Sequence, residues 1–167
     1  LGTARMSLLA GALGAGSTVH IAQGEYAVSD RPEVMITTIL GSCVAACLRD
    51  PVAGVGGMNH ILLPDRPVAA GAQATLLQFN DMEVLINALI KAGARRERLE
   101  AKVFGGASMV SGLSDIGRRN GEFVVDLLAR EGIVCLGQSL GGAQARRVQY
   151  WPVSGRARQR LVAEAPP

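Results

Sequence analysis

A cysteine and a histidine suited to difficult chemistry fall within one short stretch, Ile36-Thr-Thr-Ile-Leu-Gly-Ser-Cys43 through Gly57-Met-Asn-His60. The residues after Gly41-Ser42 predict a short helix, Cys43–Arg49, capped by Ser42 and ended by Asp50-Pro51, since the residue before proline is pushed out of the α region. A sulfur at such a helix start meets orphan N–H groups and the positive end of the helix dipole, both of which favour a thiolate. A free thiol ionises near about pH 8.5, so this setting or a nearby imidazolium would make Cys43 a nucleophile at neutral pH. Gly41 removes bulk beside the sulfur, and N–H groups around Gly41 and Ser42 could hold the oxyanion of a tetrahedral intermediate, at roughly 3 kcal/mol per donor. His60 lies near the end of a strand that returns beside Val34–Leu40, which makes it the candidate base. The other histidine is His20.

The same atoms have other uses. Cysteine is among the most buried residue types, and a neutral core histidine is the plain alternative for His60. Cys43 and Cys47, four apart on one helix face, could join His60 and Cys135 or His20 in a zinc set, although no Cys-x2-Cys knuckle is present. Gly54-Val-Gly-Gly57, Gly105-Gly106 and Gly141-Gly142 match neither a phosphate-binding loop nor a dinucleotide fingerprint.

The elements that must position these groups alternate. Strands are predicted at Val19–Ala22 and Val34–Leu40, the second β-branched and apolar, and a glycine-rich strand or hairpin at Val52–Leu63 closes at Pro64-Asp65. After a polar loop to about Gln73, apolar residues recur at helical spacing from Thr75 to Ala92, with Gly93 where a C′ residue belongs. A strand at Leu99–Phe104 runs into Gly105-Gly106, a second long helix covers Asp115–Arg130, and Ile133–Leu136, Arg146–Trp151 and Arg158–Ala163 finish as strands. This order predicts a single-domain α/β layered sandwich, a mixed β-sheet packed against two long helices.

The chain has 167 residues, one domain's worth, with 49% apolar and 19% charged residues. No stretch approaches the roughly 18–20 uninterrupted apolar residues of a membrane span, so no membrane insertion is expected. Net charge is +3, with fifteen arginines spread from Arg5 to Arg160 and aromatics only 4%, a poor match to nucleic-acid binding. Three cysteines make no disulfide framework, which favours a reducing cytoplasm. The apolar run Met6–Ala15 behind Arg5 weakly imitates a signal peptide. The expected division is an N-terminal extension over 1–18, flexible or added, a domain over 19–163 and a tail over 164–167.

Several strings together resemble the CheD family of chemoreceptor glutamine deamidases. They are Leu40-Gly-Ser-Cys-Val-Ala-Ala-Cys-Leu-Arg-Asp-Pro51 and Gly57-Met-Asn-His-Ile-Leu-Leu-Pro64, with Glu25-Tyr-Ala-Val28, Leu99-Glu-Ala-Lys102, Gly105-Gly-Ala-Ser-Met109, Ile116-Gly117 with Arg119-Asn120, and Gly141-Gly142 with Arg147-Val-Gln-Tyr150, in one order. The resemblance covers about His20 to Val153. Leu140 departs from it, standing before Gly141-Gly142 where a smaller or hydroxyl residue is expected.

The resemblance implies a papain-like Cys-His-Thr site: Cys43 as nucleophile, His60 seventeen residues later as base, and Thr37, six residues before the cysteine, orienting the imidazole. Thr38 is then the twin on the opposite strand face. It further implies hydrolysis of receptor glutamine to glutamate through a Cys43 thioester, without a cofactor, and a possible glutamyl methylesterase side activity. Implied partners are the cytoplasmic helices of methyl-accepting chemoreceptors, in bacterial or archaeal chemotaxis, and a CheC-type phosphatase. Gly105 and Gly106 join Gly41 and Ser42 as cleft candidates. A non-catalytic docking module of the same fold is the alternative.

Overall fold

The computed structural model describes residues 6–9, 16–61, 70–109 and 116–163. The predicted Pro64-Asp65 turn, Asp115 and the 164–167 tail lie outside the described residues. The strands are β1 (Met6–Leu9), β2 (Thr18–His20), β3 (Tyr26–Ser29), β4 (Met35–Leu40), β5 (Val44–Asp50), β6 (Val55–Asn59), β7 (Glu100–Gly105), β8 (Val134–Leu140), β9 (Arg146–Trp151) and β10 (Arg156–Leu161). The helices are α1 (Ala70–Lys91) and α2 (Ile116–Arg130).

The strands make two sheets rather than one. A six-stranded sheet has the order β1-β3-β6-β5-β7-β8, and a four-stranded sheet the order β10-β9-β4-β2. The larger sheet is mixed: β1–β3 and β7–β8 are parallel, while β3–β6, β5–β6 and β5–β7 are antiparallel. Helix α1 packs on β6 and β3, and α2 on β7 and β8. A side chain at Gly57 would point at Leu85 of α1, whereas one at Gly56 would strike the Pro152 carbonyl beyond β9. Because neighbouring strand residues face opposite ways, the larger sheet lies between the helices and the smaller sheet. The molecule is a three-layer α/β/β sandwich.

Cys43–Arg49 is not a helix. Val44–Asp50 is a central strand whose residues are almost all buried, with helices on one face and the second sheet on the other. A strand covered on both faces shows no alternation, and its alanines mimic helix propensity. Tyr26–Ser29, likewise buried throughout, forms a strand that alternation does not reveal. Met6–Leu9, assigned from sequence to the extension, adds β1 beside β3. Helix α1 starts at Ala70, inside the predicted loop, and ends as expected: Gly93 has φ +107°, and the Ala94 N–H reaches the Leu89 carbonyl at 3.0 Å.

The β5–β6 turn is held by Asp50, which is fully buried. Its carboxylate accepts from the N–H groups of Val52 and Ala53 at 2.9 and 3.0 Å, from Arg95 N–H at 2.9 Å and from Arg98 Nε at 2.9 Å. Burial pushes its pKa up, but the hydrogen bonds from Ala53, Arg95, Arg98 and Val52 outweigh this and hold it at about 2. Asp50→Ala leaves an unpaired guanidinium and three unsatisfied N–H groups, with an expected loss of about 3 kcal/mol in urea unfolding. A loss below about 1 kcal/mol would show that water replaces the carboxylate at little cost.

Candidate active site

The site lies in the seam between the two sheets. Val44 bridges Ile61 and Cys47 pairs with Met58, a register that sets His60 across from Ala45. Cys43 is two residues from Ala45 and shares its face, so Cys43 and His60 are diagonal neighbours, whose Cα atoms are typically about 7–8 Å apart. Both are buried, Cys43 being 7% exposed. The His60 backbone is pinned at both ends, its N–H donating to the Glu25 carbonyl at 3.0 Å and its carbonyl accepting from Gly24 at 2.9 Å. Gln23 brings its amide nitrogen to 3.8 Å from Cys43 Sγ.

The imidazole is oriented by Thr38, not Thr37. Thr38 Oγ1 lies 2.8 Å from His60 Nδ1 and donates to the Ile21 carbonyl at 2.7 Å. A hydroxyl has one proton, and a carbonyl can only accept, so toward the ring Thr38 Oγ1 is the acceptor and Nδ1 carries the hydrogen. Nε2 is then the unprotonated nitrogen, and it is buried with no hydrogen-bond partner among the described residues. Thr37 donates instead to the Val148 carbonyl at 2.8 Å, tying β4 to β9. The cause is alternation: Ile36, Thr38 and Leu40 face the seam, and Thr37 faces away.

Burial alone lowers the His60 pKa to about 4, so the ring is uncharged at neutral pH and able to accept a proton. A histidine protonated more readily in the unfolded chain destabilises the fold as pH falls below about 6.5, with the loss complete near pH 4. About 3 kcal/mol is expected over this interval. Urea unfolding at stepped pH should therefore show the wild type losing stability relative to His60→Gln across this window, and parallel curves would contradict a neutral buried ring.

The other predicted residues divide. Cys43 precedes a strand, so no helix dipole acts on its sulfur; what fixes it is backbone. Gly106 N–H donates to the Cys43 carbonyl at 2.9 Å and Ala107 N–H to the Gly41 carbonyl at 3.0 Å. Gly106 N–H is thereby committed and unavailable to an oxyanion. Gly105 has φ +113°, and a Cβ there would strike the Cys43 carbonyl oxygen, so only glycine allows this approach. Gly41 and Ser42 form the bend between β4 and β5. The Gly141-Gly142 turn braces the same segment, through Gly141 N–H to the Gly105 carbonyl and Ser108 N–H to that of Gly142.

Thr38 and Gln23 were missed from sequence. A cleft of about 370 Å³ is lined by residues including Gln23, Thr38 and His60, together with His20, Thr37 and Arg147. Cys47 is fully buried, and desolvation pushes its thiol pKa far up, while Cys135 is exposed on β8. Among the described residues no three His, Cys, Asp or Glu side chains are grouped to hold a metal. No helix among them is long and apolar enough to cross a membrane.

A thiol and a neutral imidazole of fixed tautomer share the seam of an α/β/β sandwich, a pair of groups whose chemistry suits acyl transfer. The family described as "CheD chemotactic sensory transduction" matches residues 62–161, downstream of Cys43 and His60. Curated relatives extend across both. A Rhizobium johnstonii protein is 57% identical over 148 residues, 87% of this chain and 80% of its own, and an Agrobacterium fabrum protein is 55% identical over 151 residues, 90% and 83%. One from Caulobacter vibrioides is 56% identical over 153 residues, 87% and 78%. Each is named "Probable chemoreceptor glutamine deamidase CheD". The chain belongs to the CheD family. Among solved structures, Bacillus licheniformis hypothetical protein YfiH superposes with a TM-score of 0.48 at 15% identity, covering 68% of this chain and 49% of that one, too loose a likeness to carry an argument.

Proposed function

We propose that the protein hydrolyses the side-chain amide of glutamine on chemoreceptors, giving glutamate and ammonia. The observation that carries this reading is His60 Nε2, buried without a hydrogen-bond partner among the described residues, its tautomer held by Thr38, and diagonal to Cys43 in the register of β5 and β6. In the proposed sequence the Cys43 thiol gives its proton to Nε2 and the sulfur attacks the amide carbon. N–H groups at the Gly41–Cys43 bend receive the oxyanion. The protonated Nε2 then donates to the departing nitrogen, ammonia leaves, and a γ-glutamyl thioester remains on Cys43. Water, losing its proton to Nε2, attacks the thioester and frees glutamate and the thiol.

The names of the 55–59% identical relatives support the substrate class. A glutamyl methyl ester would pass through the same thioester, so esterase activity is a secondary expectation. The reading also places the protein in the cytoplasm, where receptor helices carry the substrate glutamines, with a CheC-type phosphatase as a further partner. The test is peptide mass spectrometry of a receptor cytoplasmic fragment incubated with the protein. Amide-to-acid conversion at discrete glutamines is expected, and an unchanged fragment that nonetheless binds would overturn the enzyme in favour of a docking module.

A further inference from the structure

The outer face of the four-stranded sheet carries a block of positive charge with no ion pair among the described residues. Strand β10 pairs with β9 so that Arg156, Arg158 and Arg160 lie opposite Trp151, Gln149 and Arg147 on one face. The three β10 arginines are exposed and Arg147 is half-buried. None of the four makes an ion pair among the described residues, and the paired positions outward on β4 and β2 carry no carboxylate: Met35, Thr37, Ile39, Thr18 and His20. Four charges on one face exceed the net charge of the whole chain, +3. Arg147 and Arg160 are cross-strand partners, an arrangement that costs stability and contributes nothing to folding.

We infer that this face docks an acidic α-helical surface of the receptor and delivers its glutamine to the thiol site, an inference resting on the function proposed above. Continuity is the first argument. Arg147 lines both a basin over β9–β10, with Arg158 and Arg160, and the cleft that holds His60. Spacing is the second. Alternate residues of β10 place guanidinium groups about 7 Å apart over about 13 Å, close to the 5–6 Å steps between carboxylates three or four residues apart on a helix. Ile39, 46% exposed between arginines and cleft, offers an apolar contact at the entrance. Nucleic acid is the weaker match, because the face's aromatic side chain, Trp151, is covered by the Arg156 guanidinium at 5.0 Å.

The test uses the full chain with Arg158→Glu/Arg160→Glu, a pair outside the catalytic machinery. Binding to a receptor cytoplasmic fragment, followed by anisotropy at stepped salt, should weaken at least about tenfold and lose most of its salt dependence. In turnover, KM for the fragment should rise with kcat unchanged, and a short neutral glutamine peptide should be processed as by wild type. Equal binding and equal salt slope for wild type and variant would overturn the docking face, as would duplex DNA displacing the fragment at equal concentration. Binding is read without turnover, so failure of the deamidase reading shows separately, as wild type that binds the fragment and converts no glutamine.

Discussion

Cys43→Ala is expected to lose at least about a thousandfold in turnover of receptor glutamines while retaining its fold and its affinity for the receptor fragment. The loss is large because neither other thiol can replace the sulfur: Cys47 is fully buried with its thiol pKa pushed up, and Cys135 lies exposed on β8. The fold survives because the substitution removes one atom from a side chain whose backbone is held independently by Gly106. Ammonia release and fluorescence anisotropy with the same fragment separate the two properties. Residual turnover within about tenfold of wild type would move the nucleophile elsewhere.

Thr38→Val is expected to lower kcat by about a hundredfold with KM little changed, because Val keeps the β-branched shape and removes only the oxygen that holds Nδ1–H. The ring is then free to adopt the tautomer with hydrogen on Nε2, which cannot take the thiol proton. Thr38→Ser, which keeps the oxygen, should recover most of the loss; a merely structural role would not show that rescue. Thr37→Val removes the bond to the Val148 carbonyl and should cost about 1 kcal/mol of stability with kcat within about threefold. The opposite pattern, a silent Thr38→Val and an inactive Thr37→Val, would restore the assignment implied by family spacing.

Why the sequence misled at this pair is plain from the strand. Met35, Thr37 and Ile39 alternate with Ile36, Thr38 and Leu40, and each face carries apolar residues around one threonine, so the pattern does not say which faces inward. What decides is the second sheet: β9 lies beside β4 in the smaller sheet, a long-range pairing that no local period encodes. The same holds at β5, where two-sided burial erases the alternation and makes Cys43 read as the start of a helix, although Val44–Asp50 is a strand. Helix α1 was legible because of its helical spacing and Gly93. Cys43 and His60 were legible as chemistry, since few other residues in the chain can do it, and their shared face follows from the β5–β6 register. Gln23 carried no signal, because it reaches Cys43 only through the fold.

The measurement that tests the thioester account most directly is interception by hydroxylamine. A thioester on Cys43 partitions between water and hydroxylamine, so wild-type protein with a receptor fragment should yield γ-glutamyl hydroxamate at the same glutamines that otherwise become glutamate. Its yield should rise with hydroxylamine at the expense of glutamate, and neither product should form with Cys43→Ala. Glutamate as the sole product at every hydroxylamine concentration, formed equally by Cys43→Ala, would mean that water attacks the amide directly and would contradict the account.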